Sequence, residues 1–205
     1  ETMNSRLTPD QRAEAQRLAR EWDEAHPVSI DGLADVLRPA FFANRELRAK
    51  AEQGDAAAQH DLGVLYVNGE GVPQVSAEAV RWFRLAAEQG LARAQNKLGL
   101  SYAESEGVPQ DDAKAVRWYR LAAEQGLSNA QYNLGFMYNN GRGVPEGDLE
   151  AVRWWRLAAD QGEVDAQVYL GWMYEYGDGV PQDDVQAHMW FNIAASRSTG
   201  TQHAN

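Results

Sequence analysis

From Ala56 to Thr199, apolar residues recur at spacings of three and four in short runs, and glycine or proline interrupts each run. Ala58, Leu62 and Tyr66 are spaced by four with no proline among them, which places them on one face of a helix over Ala56 to Asn68. Gly69 and Gly71 stop that helix. Val72-Pro73 then opens an extended connection, because proline disfavours a helical residue before it and cannot continue the helix. A second helix is predicted from about Ser76 to Gln89, with Ala79, Trp82, Phe83 and Ala86 on its inner face and Gly90 closing it. The unit is an αα-hairpin. In three copies Ser76, Asp112 or Asp148 stands near the start of the second helix, where a short oxygen-bearing side chain or a negative charge suits the free amides.

The hairpin returns every 36 residues without a slip: Leu62-Gly63-x-x-Tyr66 recurs as Leu98-Gly99-x-x-Tyr102, Leu134-Gly135-x-x-Tyr138 and Leu170-Gly171-x-x-Tyr174. Gly71-Val72-Pro73, Trp82 and Ala86-Ala87 obey the same period. Self-similarity of this length predicts an all-α solenoid in which each hairpin buries its apolar face only against its neighbours. Gly63, Gly99, Gly135 and Gly171 lie inside helices, where glycine costs about 1 kcal/mol relative to alanine. Close helix approach is the expected compensation, with the rings of Trp82 and its copies in the space. Recurring at the period, these tryptophans and tyrosines read as core.

The pattern A-x-A-Q-x-x-L-G-x-x-Y…G-x-G-V-P…A-x-x-W-[FYW]-x-x-A-A-x-x-G resembles the Sel-one-like repeat, a short relative of the tetratricopeptide repeat. Four copies and a half copy at Arg45 to Gly54 carry the resemblance. It implies a right-handed superhelical solenoid acting as an adaptor or scaffold for other proteins, in bacteria often for envelope, signalling or host-interaction partners. The family's cysteine-rich secreted branch is linked to β-lactam binding, and this chain, with no cysteine, departs from that branch. By this reading residues 1–24 form an amphipathic capping-type helix, 25–55 a linker and half repeat, and 200–205 a tail. The repeats are 56–91, 92–127, 128–163 and 164–199.

Constant positions build a solenoid, so specificity belongs where the copies diverge. On a wheel of 100° per residue centred on Leu62, Ala58 and Tyr66 lie within about 40° and the varying positions lie opposite. That stripe is Ala57, His60, Asp61, Val64 and Asn68 in the first copy and Arg93, Asn96, Lys97, Leu100 and Glu104 in the second. It becomes Asn129, Tyr132, Asn133, Phe136 and Asn140, then Asp165, Val168, Tyr169, Trp172 and Tyr176. The gradient runs from polar to aromatic. In related solenoids the first helix lines the concave side, so the resemblance makes this stripe the inner groove. Tyr132, Asn133, Phe136, Asn140, Tyr169, Trp172 and Tyr176 are therefore the candidate groove for a partner peptide or helix. Among the seven tryptophans, Trp172 alone occupies a position the pattern predicts to be exposed, and exposed Trp beside Tyr is the composition of interface hot spots. The alternative for Trp172 is packing against a terminal cap. On the second helix Arg81, Arg84 and Glu88 recur as Arg117, Arg120 and Glu124 and as Arg153, Arg156 and Asp160, an outward face with an expected Arg84–Glu88 pair.

The net charge of -11 works against a phosphate backbone and an anionic membrane surface, and no run approaches the ~18 apolar residues that a membrane span needs, so neither nucleic acid nor membrane insertion is expected. The lack of cysteine removes thiolate metal sites and cysteine nucleophiles, and both cytoplasm and periplasm remain allowed. His26, His60, His188 and His203 fall at unrelated places with no H-E-x-x-H. Asp111-Asp112 and Asp183-Asp184 begin second helices in cap and dipole roles. No catalytic residue, metal or cofactor is assigned. The expected function is a non-enzymatic interaction module, with a small-molecule-binding or hydrolytic β-lactam-like solenoid and a self-assembling repeat protein as alternatives.

Leu7-Thr8-Pro9-Asp10-Gln11 reads as a capped helix start with proline at the first helical position, followed by an apolar stripe of Ala15, Leu18, Ala19 and Trp22. In the family a segment resembling this one follows the final repeat and caps it. Folding back over four hairpins requires about 40 Å at 8–10 Å helix spacing, and His26 to Gly32 reaches about 25 Å. Head-to-tail docking of Leu18 and Trp22 on Met189 and Ile193 of a neighbouring molecule is the expectation. A plain amino-terminal cap over Leu47 and Ala51, or a rearranged segment order, satisfies the same pattern.

Overall fold

The computed structural model describes residues 44–200. Helix α1 (44–52) precedes four hairpins. These pair α2 (Ala56–Asn68) with α3 (Ser76–Glu88), α4 (Ala92–Glu104) with α5 (Asp112–Glu124), α6 (Ser128–Asn139) with α7 (Asp148–Asp160), and α8 (Val164–Tyr176) with α9 (Asp184–Gly200). Each helix packs chiefly on its neighbours in sequence, which is the one-dimensional stacking expected of a solenoid. No strand occurs among the described residues.

One backbone bond closes every hairpin in the same way. The amides of Val75, Asp111, Gly147 and Asp183 donate to the carbonyls of Tyr66, Tyr102, Tyr138 and Tyr174, at 2.9–3.0 Å. Ser76, Asp112 and Asp148 stand at the first position of their helices, as expected near the start. The side-chain caps of the second helices are Asp111 and Asp183, in the cap role expected of the paired aspartates, Asp111 accepting from the Lys114 amide at 3.0 Å and Asp183 from the Gln186 amide at 3.0 Å. Val75 and Gly147 precede α3 and α7 with no side-chain cap.

The helical glycines do permit close approach, but the ring that enters is not the one expected. A Cβ at Gly63, Gly99 or Gly135 would lie 2.6–2.7 Å from the ring of Phe83, Tyr119 or Trp155, and Gly171 faces Phe191 in the same way. The space therefore belongs to the residue after the recurring tryptophan. Trp82 is buried, while Trp118, Trp154 and Trp190 are half-buried. The physical reason is angular: successive residues on a helix differ by 100°. The position aimed at the partner helix's glycine takes the core place, and its neighbour is turned toward the rim.

A polar device binds one repeat to the next. Gln59, Gln95, Gln131 and Gln167 are buried, and their side-chain amides donate to the carbonyls of Ala51, Ala87, Ala123 and Ala159 at 3.0–3.2 Å. These carbonyls belong to helix ends, whose last turns lack intrahelical partners. Gln89, Gln125 and Gln161 then donate to the side-chain carbonyls of Gln59, Gln95 and Gln131 at 2.7–2.8 Å.

The Arg84–Glu88 pair expected from spacing is not formed. Arg84 instead donates to the Tyr102 hydroxyl at 3.1 Å, Arg120 to Tyr138 at 2.7 Å, and Arg156 to Tyr174. Each bond reaches into the following repeat. The change to Asn192 in the fourth copy falls at the register where no further tyrosine of the pattern follows in the described residues.

Arg142 adds an inter-repeat tie that occurs once. Its guanidinium donates to both carboxylate oxygens of Asp112 at 2.8 and 3.2 Å and to the Ala103 carbonyl at 2.8 Å. Arg142 holds the Asp112 carboxyl below its ordinary value of 3.8, against the opposing effect of burial. A depressed folded-state value means that the ion pair's contribution is fully present above pH 3.8 and is lost as the pH falls through the folded value. Urea midpoints of wild type and Arg142→Ala should therefore differ most near neutrality and converge in acid. The remaining difference there comes from the lost Ala103 bond. A gap independent of pH would show that Asp112 is not stabilised in this way.

Candidate functional site

The first helices α2, α4, α6 and α8 lay their variable stripes side by side. Tyr169 is the hub of the aromatic end. It stacks on Trp155 with ring centroids 4.6 Å apart and meets Trp172 edge-on at 5.1 Å. Tyr132 and Phe136 of the preceding repeat approach it at 5.9 and 6.4 Å. Trp155 itself is anchored from below, its indole N–H donating to the Tyr132 carbonyl at 3.1 Å. Exposed Trp172 thus rests on half-buried Tyr169, which in turn rests on a ring that is 0% exposed. Such a platform lets large apolar side chains stay outward in a fixed arrangement, the condition under which aromatic contacts add to simple area burial.

The structure brings together Tyr132, Phe136, Tyr169 and Trp172. Trp172 is 44% exposed and Tyr176, one turn on, is 69% exposed. Asn133 links repeats through a bond from its side-chain amide to Asn96 Oδ1 at 3.0 Å. Asn140 lies at the end of α6, where its side-chain amide donates to the Phe136 carbonyl at 2.8 Å. Between α4 and α6 the stripe sinks into a cleft of about 170 Å³ bordered by Leu100, Glu104, Tyr119, Tyr132, Phe136 and Arg142. Burial raises the phenol of Tyr132 to about 12 and raises that of Tyr119 as well, so both present neutral hydroxyls.

At the opposite end the stripe departs from expectation. His60 is 8% exposed rather than open to solvent, lying against Phe83 at 5.8 Å with Nδ1 2.9 Å from Asp61 Oδ1. Burial lowers its pKa, with Arg93 and Lys97 of α4 acting in the same direction and Asp61 opposing. Tyr119 and Arg142 border the cleft and Trp155 lies beneath Tyr169, and none of the three was among the expected site residues. Arg142 had a visible signal, since Glu70, Glu106 and Asp178 hold the same register in the other copies. Among the described residues no group of three or more His, Cys, Asp or Glu is placed to hold a metal ion. No helix there is long and apolar enough to cross a membrane.

Of the residues expected to self-associate, Met189 is exposed and Ile193 half-buried on α9. Leu18 and Trp22 lie outside the described residues. So does the leading helix as a whole. For the alternative cap, Leu47 borders a cleft of about 600 Å³ between α1 and α2, and Ala51 is already buried.

Repeated helical hairpins tied by side-chain bonds, each stacked on its neighbours in sequence, define an α-solenoid. The Sel1 repeat matches residues 56–91, 92–127, 128–163 and 164–198, and the chain belongs to the Sel1 repeat family. It is similar to a protective antigen present in uropathogenic Escherichia coli strains displaying an SLR fold, at 47% identity with a TM-score of 0.73, over 75% of this chain and 33% of that one. It is similar also to a Sel1 repeat protein from Oxalobacter formigenes, at 35% identity with a TM-score of 0.73, over 80% of this chain and 65% of that one. The chain therefore spans 33% of the length of the first and 65% of the second. No match is found among curated proteins. Sel1 repeats generally mediate protein–protein interaction and form a scaffold that is generally non-enzymatic.

Proposed function

We propose that this chain is a non-enzymatic interaction module that holds a peptide or helix of a partner protein against Tyr132, Phe136, Tyr169, Trp172 and Tyr176. The observation that supports it is the platform of interlocked rings on which Trp172 stays 44% exposed. A ring of that size left open on a fixed support gains by burial against a partner at about 25 cal/mol per Å² of apolar surface. Residues of this kind dominate the energetics of protein interfaces. Replacing Trp172 and Tyr176 together by alanine should abolish partner capture in a pull-down while leaving the helical circular-dichroism spectrum unchanged. Recovery of the same partners in the same amounts by both proteins would overturn the groove assignment.

A further inference from the structure

We propose that the occupant of the groove is an extended, acidic segment of a partner protein, its carboxylates set against Arg93 and Lys97 and a large apolar side chain about six residues away set against Tyr169 and Trp172. This rests on the groove reading above and adds the chemistry of what fills it. Arg93 and Lys97 stand four residues apart on α4, so they share a face, and both are exposed. Neither is in an ion pair among the described residues; Arg81, Lys114, Arg142 and Arg153 each have a carboxylate partner, and Arg84, Arg120 and Arg156, which have none, are bonded to tyrosine hydroxyls of the next repeat. Two adjacent unpaired cations are unexpected in a chain whose net charge is -11.

Their position is on the groove side. Both act electrostatically on His60 of α2, and Asn96, between them in sequence, is bonded to Asn133 of α6. The carboxylates on the same stripe are otherwise engaged or distant: Asp61 is bonded to His60, Glu104 lies 3.9 Å from Arg142, and Asp165 belongs to α8 at the aromatic end. The groove thus runs from a cationic station in the second repeat, past a bonded asparagine pair, to an aromatic station in the fourth. Two repeats separate the stations, roughly 20 Å at the usual helix spacing. An extended chain covers that distance in about six residues at ~3.3 Å each. An acidic segment is attracted to this pair of cations, while repulsion from the net negative charge opposes its binding to the acidic parts of the surface.

The test is selection from a random dodecapeptide library displayed on phage, against the immobilised full chain, repeated with Arg93→Glu/Lys97→Glu and with Trp172→Ala/Tyr176→Ala. Enriched peptides should carry acidic residues about six positions from an aromatic or large aliphatic one. Labelled versions, followed by fluorescence anisotropy, should lose about tenfold or more in affinity with the charge-reversed protein and should weaken steeply with added salt. Arg93→Gln/Lys97→Gln, which adds no like charge beside Asp61, should show the same direction, so a folding defect in the reversed variant does not decide the outcome. Enriched peptides that are apolar and charge-neutral, or whose affinity is indifferent to both charge variants, would overturn this inference and leave the aromatic groove standing. No enrichment, or enrichment indifferent to loss of Trp172 and Tyr176, would overturn both.

Discussion

Replacing Trp155 by alanine should destabilise the protein by about 3–5 kcal/mol, the range for removing a large aromatic ring from a packed core. The ring is wholly buried, sits in the notch left by Gly135, stacks on Tyr169 and spends its N–H on the Tyr132 carbonyl. Its loss opens a cavity at the junction of two repeats and leaves that carbonyl without this donor. Trp154, its neighbour in sequence and a member of the recurring tryptophan column, is only half-buried and should cost clearly less. Trp172, resting on the surface of the same cluster, should cost least. Urea unfolding of the three alanine variants, followed by circular dichroism, measures the order. Equal losses at Trp154 and Trp155 would contradict the assignment of the core ring. Because Tyr169 rests on Trp155, the same variant should also loosen the groove, so its partner binding must be compared at a denaturant-free temperature where it remains folded.

Gly143→Ala should cost about 2–5 kcal/mol, although it adds a single methyl group. Two effects combine. The residue has φ +70°, a left-handed conformation worth about 1–2 kcal/mol against any side chain. Its Cβ would also run into the Asp112 carbonyl and come within 2.7 Å of the Ala113 nitrogen, and overpacking of this kind adds about 1–3 kcal/mol. The obstacle is backbone in the first turn of α5, so it cannot rotate aside. Gly107 meets Ser76 and Ala77 in the same manner, and Gly179 meets Asp148 and Leu149. The Gly-Val-Pro loop is therefore a docking point on the preceding repeat as well as a turn. Gly126→Ala is the control, with φ +88° and nothing within 4 Å of the added carbon. It should show the backbone part alone, so matching losses at Gly126 and Gly143 would rule out the docking contribution.

The exposure of the two divergent rings of the fourth copy was legible in the sequence, because a position that varies between repeats is not fixed by their common packing. Trp172 and Tyr176 break the column they stand in, and both are exposed. His60 was misjudged by the same rule, because position on a wheel says nothing about a neighbouring element that covers it. The side-chain ties between repeats were hidden for a related reason. Gln59 and its copies recur at the period on an apolar face, a signal that could have revealed a buried polar bond. Their carbonyl acceptors lie eight residues back, at the end of the preceding helix, a pairing that depends on how one hairpin turns onto the next.

The sequence by itself determined the solenoid: a period of 36 residues, two helices in each unit, glycine and proline at the turns, and a variable stripe opposite the constant one. These properties are local, set by backbone sterics and helical periodicity, and they repeat whatever the neighbours do. Only the tertiary structure decided which of two adjacent rings enters the glycine notch, where Arg84, Arg120 and Arg156 spend their hydrogen bonds, and which cations are left without a partner. Those choices depend on the rotation and spacing of one helix against another. A 100° step between neighbouring residues is enough to exchange a core ring for a rim ring. An arginine side chain is long enough to choose a tyrosine in the next repeat over a carboxylate one turn away.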